Sequence, residues 1–290
     1  MSKVVVVVGA GVSGQLSAYS VKKNFPDYKV VLVGPEDSSE SRPGLFYLSQ
    51  RVDGLCLNQI PVFYDKIGDG TFEDYQRKSR GSEYSRKTIS TSSFDLIGKT
   101  VEGFILRKPA DLSGVLRIYE NVKKVDYDNQ IVVPDCGIVI KYDYVVVTTP
   151  LQITTQIDNC GCKFSVSRSD FKSLPVYQKV TGIENFDIEL IDKINVFYDL
   201  SKSSDFYRHS SYYFKGTIVK MISESIIPIE DYSSILYPGK IVPNKDLTDY
   251  VNFVENFYGN VLYCGRYSRW DYHYLAEQSY FDTLKFLSKD

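Results

Sequence analysis

The sequence predicts an α/β fold with a buried parallel sheet, and two stretches near its start carry that prediction. Val4–Val8 is a continuous β-branched run, which is typical of a central parallel strand buried on both faces. Gly9, Gly11 and Gly14 follow at once in the spacing G-x-G-x-x-G. Between a strand and a helix, this spacing indicates a Rossmann-like fold with the pyrophosphate of a dinucleotide on the turn.

The next residues complete a β-turn-α-β unit. A helix is predicted from the glycines to Asn24, followed by a turn at Pro26 and Asp27 and by a second apolar strand at Lys29–Val33. The positive N-terminus of the helix would face the phosphates, so Val12 and Ser13 are assigned to the ligand together with the glycines.

One part of the dinucleotide fingerprint is missing. The acidic residue that should close the second strand and bind the ribose falls at Gly34. Glu36 is the nearest carboxylate, and a surface loop acid is an equally good interpretation of it. The missing acid would suit NADP, but no basic residue follows at once to bind a 2′-phosphate.

Composition excludes several classes of function. The chain has 290 residues, of which 43% are hydrophobic and 24% charged, as in an ordinary globular protein. A net charge of −2 argues against general nucleic-acid binding. No apolar run reaches a membrane-spanning length and no signal peptide precedes the first strand, so a cytoplasmic protein is expected. The five cysteines predict neither a disulfide framework nor a metal site.

The middle of the chain departs from a regular series of βαβ units. Residues 34–115 are rich in loop-forming residues, and short strands with turns at Asp128-Asn129 and Asp135–Gly137 follow them. This stretch ends in a buried strand, Tyr144–Val147, and then Thr148-Thr149-Pro150.

The end of the chain is predicted to form a strand and a helix. Val261–Cys264 is the strand, Gly265-Arg266 follows it, and a helix is predicted from about Tyr272 to Leu287. A glycine lets the backbone approach a ligand, and an arginine can neutralise pyrophosphate charge.

These motifs resemble those of the two-dinucleotide-binding-domain flavoproteins, in particular the group of UDP-galactopyranose mutase, protoporphyrinogen oxidase and the amine oxidases. The resemblance covers about 4–48, 117–225 and 260–287, and the chain is short for the group. It implies a Rossmann-like FAD-binding fold with an interleaved, reduced α+β substrate domain. The implied FAD-binding domain consists of 1–50, 115–155 and 255–290, and the substrate domain of 51–114 and 156–254.

The resemblance implies FAD as the cofactor, with the Gly-Arg motif near the flavin. Arg42, in a Ser-Arg-Pro-Gly turn, would approach the pyrophosphate. The residues assigned to the cofactor are Gly9, Gly11, Val12, Ser13, Gly14, Glu36, Arg42, Val125, Thr148, Gly265, Arg266 and Trp270.

Three residues are candidates for catalysis. His273 follows the Gly-Arg motif and could act as a general acid or base. Arg208 lies between aromatic residues in Asp-Phe-Tyr-Arg-His and could bind a phosphate or carboxylate, although a surface salt bridge explains it equally well. Tyr198 is the third, because residues 194–225 are similar in spacing to the substrate-domain pattern of the same flavoproteins. His209 is interpreted as a mere neighbour of Arg208.

Three functions remain open on the sequence. The first is an FAD-dependent oxidoreductase or flavin-dependent mutase that acts on a small polar or nucleotide-linked substrate. The second is an NAD(P)-binding oxidoreductase, and the third is a non-catalytic scaffold that keeps its nucleotide for stability. The sequence also leaves open whether the protein forms a homodimer.

Overall fold

The structure is a computed structural model, and it describes residues 2–35, 47–55, 57–81, 94–106, 111–158, 166–183, 186–187 and 190–289. The chain forms two compact units, each assembled from separate stretches. The first contains Met1–Ser41, Pro109–Phe171 and Pro243–Asp290, and the second contains Arg42–Lys108 and Lys172–Val242. The first unit thus includes 109–114, 156–171 and 243–254, which the sequence analysis placed in the substrate domain, and the second includes 42–50, which it placed in the FAD-binding domain. Within the first unit, the helix at Lys245–Tyr258 contacts the strand at Val261–Tyr263.

The helices separate runs of one to six strands along the described part of the chain. In order they are β1 (Val4–Val8), α1 (Val12–Asn24), β2 (Lys29–Val33), β3 (Tyr47–Leu48), β4 (Leu57–Ile67), α2 (Phe72–Arg80), β5 (Lys99–Leu106), β6 (Leu116–Ile118), β7 (Val122–Asp126), β8 (Ile131–Pro134), β9 (Ile140–Lys141), β10 (Tyr144–Val147), α3 (Leu151–Ile157), β11 (Ser173–Gly182), β12 (Lys193–Asp199), β13 (Arg208–Phe214), β14 (Thr217–Ser225), β15 (Ser234–Ile241), α4 (Lys245–Tyr258), β16 (Val261–Tyr263), α5 (Arg266–Arg269) and α6 (Gln278–Leu287).

The first unit is built on a parallel five-stranded sheet with the order β16-β10-β1-β2-β6. β1 lies at its centre, and Val5–Val8 have no exposed surface. The β-branched run is therefore a doubly buried parallel strand, as its pattern predicted. A separate three-stranded antiparallel sheet, β7-β8-β9, contains the predicted short strands.

The second unit is built on an eight-stranded sheet with the order β15-β11-β14-β13-β12-β4-β5-β3. β4 and β12 are parallel, and the other neighbours are antiparallel. One face of this sheet supplies Val62, Ile194 and Val196 to an aromatic and aliphatic core that also contains Tyr75 of α2. The α/β fold with a second, sheet-based unit confirms the predicted fold class.

Two expectations about local structure are wrong. Within the stretch predicted to be loop-rich, β4 spans 11 residues and α2 spans 9. α2 is fixed locally by a capping box, in which Thr71 and Asp74 each accept a hydrogen bond from the backbone N–H of the other.

The predicted helix from Tyr272 to Leu287 is also wrong at its start. A four-residue helix begins directly at Arg266, and the long helix begins only at Gln278. The break has a local cause, because Trp270 has a left-handed backbone (φ 53°) that ends α5. His273 consequently lies in the irregular stretch that joins the two helices.

Three general features bear on function. No helix among the described residues has both the length and the apolar character needed to cross a membrane. Within the same residues, no three His, Cys, Asp or Glu side chains are grouped so that they could hold a metal ion. Cys136 and Cys264 are free thiols, whereas Cys56, Cys160 and Cys162 lie outside the described residues.

Candidate nucleotide site and candidate catalytic residues

Two of the three fingerprint glycines are required by packing within the chain. Gly9 has a positive φ of 105°, and a Cβ atom there would lie 2.5 Å from Thr148 Oγ1. A Cβ atom on Gly14 would lie 1.8 Å from the Gly9 carbonyl oxygen, so α1 packs against the turn closer than any side chain allows. The Gly9 N–H also donates to the Val33 carbonyl at 2.7 Å, which joins the turn to the end of β2.

Gly11 differs from the other two because nothing among the described residues requires a glycine there. Its backbone is extended (φ −67°, ψ −179°), a conformation open to any residue. A Cβ atom on Gly11 would meet no atom within 4 Å in the part of the chain that the structure describes. The space beside Gly11 is therefore an open cradle that a side chain would fill, as expected where a ligand approaches the backbone.

The cradle lies at the N-terminus of a long helix. α1 has 13 residues, its N-cap Gly11 has no side chain to accept a capping hydrogen bond, and its first turn contains no acidic residue. The N–H groups at the start of a helix carry a partial positive charge and point out of the helix end. This end of α1 is therefore suited to an anion such as a phosphate.

Two further segments of the first unit reach the same turn. Thr148, just after β10, places its Oγ1 2.9 Å from the Val8 carbonyl and 3.0 Å from the Gly9 carbonyl. Gly265, just after β16, has φ 100°, and a Cβ atom on it would lie 2.9 Å from Ser13 Oγ. The carboxyl ends of three neighbouring parallel strands thus meet at α1, which is where ligands bind in open α/β sheets.

The structure explains the missing acid after β2. A Cβ atom on Gly34 would lie 2.6 Å from the Ala10 backbone nitrogen. The end of β2 is closed against the glycine turn, so no side chain fits at position 34. Glu36 and Arg42, the nearest candidates for the ribose and pyrophosphate, lie outside the described residues.

The remaining predicted cofactor residues have different surroundings. Val125 is fully buried in β7 and bridges Asp158 through its backbone. Arg266 is exposed at the start of α5, where its Nε donates to the Tyr274 carbonyl at 3.4 Å. Trp270 is 1% exposed, and its ring packs edge-on against Phe171 at 5.2 Å. The assignment of these three to the cofactor stays a prediction.

The predicted catalytic residues belong to both units. His273 is exposed in the first unit, with its ring 3.7 Å from that of Tyr272. Arg208 and Tyr198 lie in the second unit as directly paired residues of β13 and β12. The structure thus brings two of the three together. Tyr198 is 6% exposed, and its ring stacks on Phe94 at 5.1 Å as part of the aromatic core.

Arg208 is anchored by a buried carboxylate. Its Nη2 atom lies 2.7 Å from Glu224 Oε2, which also accepts a hydrogen bond from the Tyr207 hydroxyl at 2.9 Å. Gln178 donates to the other oxygen at 3.0 Å. Burial raises the pKa of Glu224, but Arg208, the charge of Lys240 and the hydrogen bond from Gln178 outweigh burial and lower it to about 2. Arg208 is therefore held in one position by an ionised partner, rather than by a weak surface salt bridge.

A partly buried carboxyl that the sequence did not single out is Asp158, which follows α3. Burial raises its pKa from 3.8 to about 6, and a hydrogen bond from the Tyr250 hydroxyl offsets only part of that rise. No sequence pattern marks this residue, because Asp158 and Tyr250 are 92 residues apart.

The raised pKa of Asp158 predicts that the free energy of unfolding depends on pH in a specific way. Because its pKa is raised on folding, its stabilising effect is complete below about pH 4 and is lost as the pH rises through about 6. The full loss is about 3 kcal/mol, of which about half falls between pH 5 and pH 8. Asp158→Asn keeps an acceptor for Tyr250 but cannot ionise. In urea unfolding, we therefore expect the stability of the wild type relative to Asp158→Asn to fall by about 1.5 kcal/mol from pH 5 to pH 8. If the difference in unfolding free energy between the two proteins does not change with pH, the pKa of Asp158 is not raised on folding.

No protein-family model matches the sequence, and no curated protein matches it either. Solved structures match it by fold. A reduced UDP-galactopyranose mutase covers 98% of this chain and 93% of its own, with a TM-score of 0.60 and 11% identity. The PF1083 protein from Pyrococcus furiosus covers 99% and 97%, with a TM-score of 0.53 and 8% identity. MibH, a tryptophan 5-halogenase, covers 92% and 62%, with a TM-score of 0.52 and 10% identity. At these identities the likeness shows a shared fold.

Proposed function

We propose that the protein is an FAD-dependent enzyme that binds the pyrophosphate of FAD at the N-terminus of α1. The observation that carries this proposal is the open cradle at Gly11. Gly9 and Gly14 are glycines because the chain packs against them, whereas Gly11 leaves space for a ligand beside an uncapped helix N-terminus.

The surrounding residues suit a dinucleotide. The amides of Val12 and Ser13 would bind the phosphates, and Gly265 brings the start of α5 close to Ser13. Arg266, exposed beside Gly265, would add a positive charge toward the pyrophosphate or the flavin. When bound, FAD would supply the redox or nucleophilic chemistry of the flavin ring, while the chain orients it.

FAD is preferred over NAD(P) for two reasons. The motifs resemble those of the UDP-galactopyranose mutase and protoporphyrinogen oxidase flavoproteins at both ends of the chain. A solved UDP-galactopyranose mutase also shares the fold over 98% of this chain. Oxidation by the flavin and mutase-type isomerisation are both compatible with this proposal.

We further propose a small polar or nucleotide-linked substrate, with Arg208 as its anion-binding group. The ion pair with Glu224 fixes the guanidinium, and the Arg208 side chain is 39% exposed, so it is held rigidly without being shut off from solvent. His273, exposed after α5, is the proposed acid or base.

The proposal is tested by titrating the cofactor-free protein with FAD and, separately, with NADH and NADPH, using calorimetry. We expect saturable binding of FAD, and bleaching of the bound yellow colour on adding dithionite. Binding of a nicotinamide cofactor without FAD would replace the proposal with an NAD(P)-dependent oxidoreductase. Dithionite also reduces free flavin, so the bleaching only identifies the bound molecule as a flavin, and failure to bind FAD or a nicotinamide cofactor would contradict the proposed site.

A further inference from the structure

Three residues of the second unit form a hydrogen-bonded row across adjacent strands. His209 on β13 lies directly opposite Ser223 on β14 and opposite Phe197 on β12. Asp199 follows Phe197 by two residues, so its side chain lies on the same face of the sheet. His209 Nδ1 is 2.8 Å from Ser223 Oγ, and His209 Nε2 is 3.3 Å from Asp199 Oδ2.

The carboxylate at one end of the row is firmly held and ionised. Asp199 Oδ1 accepts from the Ser201 N–H at 2.8 Å and lies 3.2 Å from Lys78 Nζ. Burial raises the pKa of Asp199, but hydrogen bonds from Ser204, Ser201 and His209 outweigh burial and lower it to about 2. An ionised carboxylate can only accept, so the hydrogen bond at Nε2 requires a proton on that nitrogen.

The tautomer of His209 fixes the role of Ser223. With its proton on Nε2, the neutral imidazole has a lone pair on Nδ1, which accepts the hydroxyl proton of Ser223. A serine bonded to the basic nitrogen of a histidine, with a carboxylate on the other nitrogen, is the arrangement that activates serine as a nucleophile. Ser225, two residues along the same strand, differs because its hydroxyl bonds to the backbone of Ile227.

We propose that Ser223 is the nucleophile of a second active site, which hydrolyses small carboxylic esters. His209 is its general base, and Asp199 is a residue that positions His209. Ser223 is 5% exposed and the His209 side chain 16% exposed, so the site would admit only a small acyl group. The proposed chemistry uses these three residues and water only, so it needs no FAD.

The reaction balances with ester and water alone. Ser223 Oγ bonds to the carbonyl carbon while its proton passes to His209 Nδ1. The C–O bond to the alcohol then breaks, and the leaving alcohol takes that proton. Water attacks the acyl-serine in the same way, giving its proton to His209, and the carboxylic acid leaves as Ser223 regains its hydrogen.

The test uses the full-length protein with p-nitrophenyl acetate and a small fluorophosphonate. We expect hydrolysis of the ester and a single phosphonyl adduct, mapped by peptide mass to Ser223. Ser223→Ala should lower the hydrolysis rate at least about 100-fold. The matched control Ser225→Ala should hydrolyse the ester like the wild type. Asp199→Asn should lower kcat with little change in KM, as expected for loss of the correct tautomer.

Several outcomes would overturn the proposal. An adduct on another residue, the absence of any adduct, or hydrolysis unaffected by Ser223→Ala would each leave the row with a structural role only. The adduct on the wild-type protein can be mapped even if Ser223→Ala does not fold. Because neither reagent reports on FAD, failure here is distinct from failure of the proposed flavin function.

Discussion

Gly11→Val is expected to remove dinucleotide binding while leaving the cofactor-free protein about as stable as the wild type. The new side chain would fill the cradle beside the N-terminus of α1, where no atom of the described residues lies within 4 Å of a Cβ atom. A phosphate could then no longer approach the amides of Val12 and Ser13. We expect FAD affinity to fall at least about 100-fold, or about 3 kcal/mol.

The stability of the Gly11 variants should change little for a specific reason. Alanine and valine can both adopt the extended backbone of position 11. Replacing glycine also reduces the number of conformations open to the unfolded chain, which stabilises the folded variant. Loss of a glycine at the N-cap acts in the opposite direction by a similar amount. The free energy of unfolding of the apoprotein, measured in urea, should stay within about 1 kcal/mol of the wild type. Retention of FAD by Gly11→Val after gel filtration would contradict the placement of the pyrophosphate.

Gly14→Ala should have the opposite effect on the fold. Its single methyl group would lie 1.8 Å from the Gly9 carbonyl oxygen and 2.9 Å from Thr148 Oγ1. The first of these atoms is backbone in a turn that β2 also holds, so α1 would have to move off the sheet. We expect a loss of at least about 3 kcal/mol in the free energy of unfolding.

The two alanine variants form a matched pair. Gly11→Ala and Gly14→Ala add the same methyl group to the same motif, three positions apart. Gly11→Ala should unfold at the urea concentration of the wild type, and Gly14→Ala should unfold at a much lower one or be insoluble. Equal stability of the two apoproteins would mean that packing does not distinguish the two glycines.

The sequence predicts the fold best where the signals are local. The run at Val4–Val8 and the glycine turn specify a buried strand, a tight connection and a helix within 24 residues, and the structure contains all three. β4 was missed because its apolar pattern is broken by Pro61 and by polar residues, and its pairing partners are distant in sequence. The start of the last helix was misplaced because nothing in the sequence marks the left-handed backbone of Trp270.

The candidate site residues divide in the same way, into those that a local pattern marks and those that distant strand pairing brings together. The glycine fingerprint is contiguous, so it can be found from spacing alone, although only the structure separates Gly11 from Gly9 and Gly14. His209, Ser223 and Asp199 belong to three different strands, and the pairing register alone brings them together. For this reason no pattern in the sequence favours His209 over His273.

The most direct test of the flavin function is the visible spectrum of the protein purified without added cofactor, followed by mass analysis of the molecule released on denaturation. We expect absorption bands at roughly 370 and 450 nm and release of intact FAD, as for an oxidised flavoprotein. A colourless protein that releases no FAD and takes up none when FAD is added would contradict the central claim that the α1 N-terminus is an FAD site.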